Sequence, residues 1–319
     1  MSAAGVHLLL PPPRRWPRPW PGAVARALGR AERFGQAPDA VIAALFGLRA
    51  LPASAALARL GEGDIDIDTL RAHRWLRADP AWIRADINGA RLCGIGPMLA
   101  LGAEEADAFA AGLRAMFADA GHALEVVAPT RWYLRLPRDA ELPHLATPVE
   151  ALGEDVFDHR PEGTDARAWR ALESEAQVGL HQHPRNAMRV RAGLPPVNAL
   201  WFWGGEALPD MARAGLSGLA SDDPLLRGAA GLAGIPLAPL PARWPAAAGL
   251  YDLRGIRAGA LYADWLLPAL DAMRTEKFVM QWVCEEGPVF ELRPSQRWRF
   301  WRKPLGALET PTDTGEGER

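Results

Sequence analysis

The sequence predicts a mixed α/β protein, and three observations predict it. Short apolar runs of strand length alternate with longer segments of helical period along the 319 residues. Turn dipeptides such as Asp79-Pro80 and Asn88-Gly89 punctuate the strand-like stretches. An apolar content of 49% is enough to bury a large core, in one big domain or two smaller ones.

Val6 to Leu10 reads as a short buried opening strand. The Pro/Arg/Trp segment Pro11 to Pro21 is expected to run extended, because proline removes donors and restricts its neighbours. Gly22 to Arg33 and Asp39 to Leu48 read as helices, and Gly61 to Asp68 as a loop. Trp75 to Met98 suggests strands with turns at Asp79-Pro80 and Asn88-Gly89. A helix follows from Glu104 to Ala120, with Ala106, Phe109, Leu113, Met116 and Phe117 on one face, acids opening it and Gly121 stopping it. Leu124 to Val127 and Trp132 to Leu136 form a strand pair, and a helix spans Asp165 to Leu180. A helix from Gly259 to Met273 and an alternating strand over Lys277 to Cys284 close the pattern. No repeat has a solenoid period, and the tail after Pro304 is polar.

Several function classes are excluded early. The net charge is −2, so the chain carries no whole-molecule footprint for nucleic acid. Arg297 to Lys303 interleaves bases with aromatics, but reads better as an amphipathic edge strand whose charges discourage pairing. No apolar run reaches membrane-spanning length. Cys93 and Cys284 lie far apart and off metal spacing, which fits a reducing, cytoplasmic compartment. Nucleophile-elbow, Walker and dinucleotide motifs are missing, and Asp64, Asp66 and Asp68 fail as a calcium loop because Thr69 and Trp75 stand where Gly and Glu are needed.

The densest chemistry lies in His181 to Gly205, HQHPRNAMRVRAGLPPVNALWFWGG. Arg and Asn offer fixed donors for phosphate or carboxylate, and the aromatics with Gly204-Gly205 suit a pocket wall. The pattern His183-Pro184-Arg185-Asn186, Arg189 or Arg191, Gly193, Pro196, Asn198, Trp201, Trp203, Gly204 resembles the archaeal-type cofactor-independent phosphoglycerate mutases of the alkaline-phosphatase superfamily. It is closer still to a bacterial relative, the RpfE-type regulatory proteins. Trp75 to Asp86 and Ala128 to Pro137 share the resemblance, which runs from about Trp75 to Gly205 and more weakly to about Trp244.

The resemblance implies an alkaline-phosphatase-like core sheet flanked by helices, built from residues 1–69 and 148–303. A smaller α+β domain would be inserted at 70–147, with a flexible tail at 304–319. It also implies two metals held by Asp and His ligands beside a Ser or Thr nucleophile. This chain departs from that. Where the mutases place D-G-x-x-D after the first strand, it has Pro11-Pro12-Pro13-Arg14-Arg15-Trp16. None of its seven His lies after His183, and Asp222, Asp223 and Asp252 alone make a weak Mg²⁺ site.

The expectation is therefore a non-catalytic regulatory protein, with no catalytic residues, metal or cofactor. It binds a phosphorylated or carboxylated small molecule through His183, Arg185, Asn186, Arg189, Asn198, Trp201, Trp203, Arg77, Arg84 and Arg131. Plainer roles stand beside these: His183 as a helix cap, the arginines paired with Glu173, Glu175 or Asp155, Trp201 and Trp203 as core, and Asn198 as a stitch between turn and strand. Arg77, Asp79 and Arg84 form either a charged clamp or a solvent-facing hairpin with an internal ion pair, and Arg131 has the same ambiguity. Two rival functions remain: an active mutase or phosphatase with other metal ligands, and a protein-interaction module using Pro11 to Pro21. Neither membrane nor nucleic acid is an expected partner.

Overall fold

The computed structural model describes residues 5–87, 89–210, 212–213 and 215–306. The chain divides into two compact units, one of residues 1–51 with 211–319 and one of Pro52–Asp210. The second unit is wider at both ends than the expected insert of 70–147. Sheet pairing and helix packing explain the difference, since segments on both sides of that stretch belong to its sheet and core.

The first unit opens with β1 (Val6–Leu10), α1 (Gly22–Arg30), β2 (Glu32–Phe34) and α2 (Pro38–Leu45). The second unit then supplies α3 (Ala55–Glu62), α4 (Ile67–Arg71), β3 (Arg74–Asp86), β4 (Gly89–Ile95), α5 (Ala103–Asp119), β5 (Ala123–Ala128), β6 (Arg131–Leu136), α6 (Pro148–Ala151), α7 (Ala166–His181), α8 (Pro184–Arg191) and β7 (Ala199–Trp203). The chain returns to the first unit with β8 (Leu219–Ala220), α9 (Pro224–Leu232), β9 (Leu237–Ala238), β10 (Gly249–Asp252), α10 (Ala258–Ala260), α11 (Leu267–Glu276), β11 (Met280–Cys284) and β12 (Val289–Leu292).

The first unit's seven-stranded sheet has the order β2-β12-β11-β1-β10-β8-β9. From β11 across to β9 the neighbours are parallel, while β12 and β2 add antiparallel pairs at one edge. Parallel strands need covering on both faces, so β1 and β11 read as nearly unbroken apolar runs. Trp16, Trp20, Trp244, Trp265 and Trp282 fill the core against them. Pro11 to Pro21 does not simply run extended. Pro13–Arg15 makes a single 3₁₀ turn, the Trp16 indole donates to Pro11 O at 2.8 Å, and Trp16 and Trp20 pack 5.4 Å apart inside the core. The expected helix over Gly259 to Met273 runs as α10, a π-helical stretch Leu261–Leu266, and α11. The wide turn comes just before Pro268, whose ring would otherwise clash with the preceding turn and whose missing N–H leaves a carbonyl there without its helical donor.

The second unit carries a five-stranded antiparallel sheet in the order β4-β3-β6-β5, with β7 also on β3. The expected turn at Asp79-Pro80 is absent, and β3 runs straight through both residues. Along one side β3 pairs with β6 over Arg74–Arg77 and with β4 over Ala81–Asp86, while β7 covers Arg77–Ala81 on the other. Pro80 falls at the interruption between β6 and β4, so its missing N–H does not break a continuous two-sided ladder. The β3–β4 hairpin forms as the Asn88-Gly89 signal predicts, although Asn88 itself lies outside the described residues. Helices α5 and α7 fall within a residue or two of their expected spans and pack on this sheet through Phe109, Leu113, Phe117, Trp169 and Leu180. Ser54 caps α3 through its hydroxyl, and Gly63 ends it at φ +91°, a conformation that favours glycine.

Arg297 to Lys303 is not an edge strand. A 3₁₀ turn, Pro294–Trp298, is locked by the Gln296 amide, which accepts from Arg293 N and donates to Glu291 O. Arg299 and Arg302 then donate to carbonyls at the end of α1 instead of entering a ladder. The expected tail begins here without regular structure at 304–306, and 307–319 lies outside the described residues. Among the described residues, no helix is long and apolar enough to cross a membrane.

Candidate functional site

In an open parallel sheet, ligands favour the crevice beyond the carboxyl ends of the strands. In the first unit, β8, β10, β1 and β11 end side by side there. The residues that follow line a cleft of about 410 Å³: Arg15 after β1, Asp222 and Asp223 after β8, Asp252 and Arg254 at β10, and Glu285 after β11.

Its centre is a guanidinium. Arg254 donates from Nε to Asp252 Oδ1 at 2.8 Å and from one terminal nitrogen to Asp252 Oδ2 at 2.6 Å and Asp223 Oδ2 at 2.8 Å. The Ser221 hydroxyl donates to Asp252 Oδ2 at 2.8 Å and accepts from Asp223 N at 3.0 Å. Asp223 also caps α9, accepting from Leu225 N at 2.8 Å. Burial works against the Asp252 charge, but Arg254 and Ser221 more than offset it, and the carboxyl lies below its ordinary range. Burial likewise opposes the Arg254 charge, and the two aspartates overcome it and hold the guanidinium still more firmly protonated.

These donors do not fit a metal pair. The two best-placed carboxylates already share a fixed cation, and among the described residues no group of three or more His, Cys, Asp and Glu could hold an ion. Ser221 is no activated nucleophile either, because a carboxylate held below its usual pKa is a poor base at neutral pH. Sequence reasoning noted Asp222, Asp223 and Asp252, and Arg15 within the segment standing where the mutases place D-G-x-x-D, but missed Ser221, Arg254 and Glu285. The available signal was the polar residue directly after each parallel strand.

The ten sequence-predicted residues all lie in the second unit, in separate places. His183, Arg185, Asn186 and Arg189 form one group around α8. His183 is its N-cap, with Nδ1 accepting from Arg185 N at 3.3 Å, and its ring packs tilted against Phe109 with centroids 4.5 Å apart. The Asn186 amide donates to Leu180 O and Val197 O and accepts from Val197 N, each at 2.8 Å. Arg189, 1% exposed, donates to Pro195 O at 2.9 Å, Glu105 at 2.8 Å and Leu99 O. Arg185 reaches Glu104 at 2.7 Å. The ion-pair partners of Arg185 and Arg189 are thus Glu104 and Glu105 on α5, not Glu173, Glu175 or Asp155. The motif ties α7, α8 and the following loop together with the donors that suggested an anion cradle.

Arg77, Arg131 and Trp203 form a second group. Arg77 and Asp79 make an internal ion pair as one reading had it, but the pair is buried and not on a solvent-facing hairpin. Asp79 accepts from Arg77 Nε at 3.0 Å, a second Arg77 nitrogen at 2.7 Å, Trp132 N at 3.2 Å and the Trp203 indole at 2.9 Å. Tyr133 and Trp203 lie 4.8 and 5.2 Å from the Arg77 guanidinium carbon. Burial pushes the Asp79 carboxyl up and these donors pull it back; with only donors around it, Asp79 must act as an acceptor. Nearby, Arg131 grips Glu62 with two bonds of 2.8 and 3.0 Å, and Tyr133 donates to the same carboxylate at 2.8 Å.

The remaining three stand apart. Asn198 bonds both the N–H and the C=O of Ile83, stitching the start of β7 to β3. Trp201 donates to Ala146 O at 2.9 Å, and Arg84 is exposed near the end of β3.

No family model matches the chain. Its sequence is 36% identical over 80 residues to the 2,3-bisphosphoglycerate-independent phosphoglycerate mutase of Methanothrix thermoacetophila, covering 25% of this chain and 20% of the mutase. It is 32% identical over 93 residues to a probable enzyme of the same name from Geobacter sulfurreducens, covering 28% and 23%. The matches thus span less than a quarter of the length of these curated relatives. Among solved structures, a cofactor-independent phosphoglycerate mutase from Thermoplasma acidophilum aligns over 91% of this chain and 89% of its own, at 14% identity and a TM-score of 0.44. The PH0037 protein of Pyrococcus horikoshii aligns over 91% and 87%, at 13% identity and a TM-score of 0.49. Over the matched stretches, the relatives of this chain are cofactor-independent phosphoglycerate mutases.

Proposed function

We propose that this chain is a phosphoglycerate-mutase-like protein without two-metal catalysis. In this reading it is a cytoplasmic regulatory protein of the RpfE type that binds a phosphorylated or carboxylated small molecule and does not turn it over. One observation carries the non-catalytic half: the Arg254 guanidinium is bonded to both Asp223 and Asp252 at the strand ends. A metal pair there would have to displace a cation the protein supplies itself.

The ligand class rests on the relatives, whose names specify phosphoglycerate, a molecule bearing both a phosphate and a carboxylate. Of the predicted binding residues, those with donor capacity still turned outward are Arg131 and Arg185, whose side chains are 37% and 33% exposed, and Arg84. The unpaired Cys93 and Cys284 fit a reducing compartment.

The test is calorimetric titration of the purified protein with 3-phosphoglycerate, alongside a mutase and phosphatase assay with and without Mn²⁺. Single-site binding that weakens in Arg131→Ala, with no turnover in either condition, is expected. Metal-dependent turnover would overturn the non-catalytic half, and a flat titration would overturn the ligand.

A further inference from the structure

The first unit has a second, larger cleft that shares no lining residue with the strand-end site. It measures about 530 Å³ and lies between α1, α11 and the Pro294–Trp298 turn. That is the size of a small-molecule pocket, typically about 300–1,000 Å³. Its floor is low because Ala23 and Ala27 of α1 and Ala263 of the π-helical stretch are small, leaving room that Leu267 and Met273 only partly fill.

The charge around this apolar floor is one-sided. Five arginines and a single carboxylate, Asp271, line the cleft. Two of the arginines are engaged, Arg274 near Asp271 at 3.8 Å and Arg293 with Glu291 at 2.6 Å. The other three have donors to spare. The Arg26 guanidinium has no hydrogen-bond or ion-pair partner among the described residues. Arg30 gives one terminal nitrogen to Arg297 O at 3.0 Å, but its Nε is buried without an acceptor. Arg297 has no carboxylate partner among the described residues and lies 4.9 Å over the Trp298 ring. A buried N–H without an acceptor is unfavourable, so an anionic acceptor at this rim would be favoured. Beyond the turn, Trp298, Phe300 and Trp301 stand exposed and extend the apolar surface.

We infer that this cleft binds an amphiphilic organic anion: an apolar body seated on Ala27, Leu267 and Met273, with one phosphate, sulfonate or carboxylate head held by Arg26, Arg30 and Arg297. A bare inorganic anion would leave the floor uncovered. A neutral apolar molecule would leave the three guanidinium groups unanswered.

The probe is 8-anilinonaphthalene-1-sulfonate, titrated into the full chain and followed by its fluorescence, with octyl phosphate and inorganic phosphate as competitors. One saturable site per chain is expected, displaced by octyl phosphate and not by inorganic phosphate. Arg26→Glu combined with Arg297→Glu should weaken it by at least about tenfold, the loss of two charge-assisted contacts. Both side chains are exposed, so the fold should survive, which a thermal melt checks. Ala27→Trp, which fills the floor, should abolish binding independently. Unchanged affinity in the double variant, many weak sites per chain, equal competition by inorganic phosphate, or capture by anionic phosphatidylserine vesicles without binding of the soluble probe would each overturn the inference. Because neither Arg131, Arg84 nor any strand-end residue lines this cleft, 3-phosphoglycerate binding lost or retained elsewhere does not bear on this result.

Discussion

Each unit of this protein sets an arginine and an aspartate two residues apart, and the two pairs do opposite things. In the second unit, Arg77 and Asp79 lie mid-strand on β3, with side chains 6% and 5% exposed. Their donors and acceptors are answered by Trp132, Trp203 and Tyr133. In the first unit, Asp252 and Arg254 sit where β10 ends, 11% and 26% exposed, beside a cleft open to solvent. The sealed pair is a structural joint: Arg77 is the last β3 residue paired with β6, and Asp79 lies in the interval before β4 pairing begins at Ala81. The open pair occupies the place where a parallel sheet offers its binding crevice. Identical chemistry is architecture in one place and a filled site in the other, and burial together with sheet position makes the difference.

The sharpest way to break this contrast is to remove the acid of the sealed pair. Asp79→Ala leaves a buried guanidinium without its partner, and breaking a buried pair on one side costs about 3–5 kcal/mol. Urea denaturation should show a loss of that size. A loss under about 1 kcal/mol would mean that the pair is solvated in solution and the contrast false. Arg189→Met comes next. It strands Leu99 O, Pro195 O and the Glu105 carboxylate, and should cost about 2–4 kcal/mol by the same measurement. An effect that small molecules rescue, with stability unchanged, would instead return Arg189 to the ligand-binding role the sequence suggested.

Arg254→Met tests the open pair, and its effect should be smaller, about 1–2 kcal/mol, because solvent can reach the stranded carboxylates. Its signature is the pH dependence. Asp252 is held below its ordinary pKa, so the stability it contributes is present above the unfolded value of 3.8 and is lost as pH falls through the lower folded value. Wild type should therefore lose stability steeply on the acid side, and Arg254→Met should flatten that branch. The same variant vacates the centre of the cleft. If Mn²⁺ then raises its melting temperature but not that of the wild type, the guanidinium is indeed standing in a cation's place.

The regular elements were legible in the sequence wherever one face is apolar and the ends are marked. Helix α5 has Phe109, Leu113 and Phe117 at helical spacing and glycine beyond its end, and β11 alternates through Met280 and Trp282. Asp79-Pro80 misleads because a turn dipeptide is a local signal, while β7 and the changeover from β6 to β4 decide its conformation. The run of arginines and aromatics at 297–303 misled for a similar reason: Gln296 and the carbonyls ending α1 offered better partners than a ladder. The strand-end site was hidden by distance. Ser221 and Asp252 are 31 positions apart, and only the order β8-β10-β1 brings them within a hydrogen bond. The H-P-x-N motif was visible at once, but sequence cannot say whether an arginine's donors meet a ligand or the protein's own carbonyls.

The smallest expected effect concerns a carboxyl that shares neither arrangement. Glu173 on α7 makes no hydrogen bond among the described residues, and burial pushes it up to about 7, against the pull of Arg160 and Arg170. The sign is the reverse of Asp252. A folded value above the unfolded 4.5 means that stability is fully present below about 4.5 and declines as pH rises through about 7. Glu173→Gln keeps the shape and removes the proton, so the variant should lose the decline between about pH 5 and pH 7.5 that the wild type shows. Melting temperatures over that range measure it. If the two profiles run parallel, the attraction of Arg160 and Arg170, without hydrogen bonds, is enough to offset burial and keep a half-buried acid ionised. The contrast between the sealed and open pairs would then rest on Coulomb attraction alone. If they diverge, the bonds that Asp252 accepts are what hold its carboxylate in the charged form, against the burial that pushes Asp79 and Glu173 up.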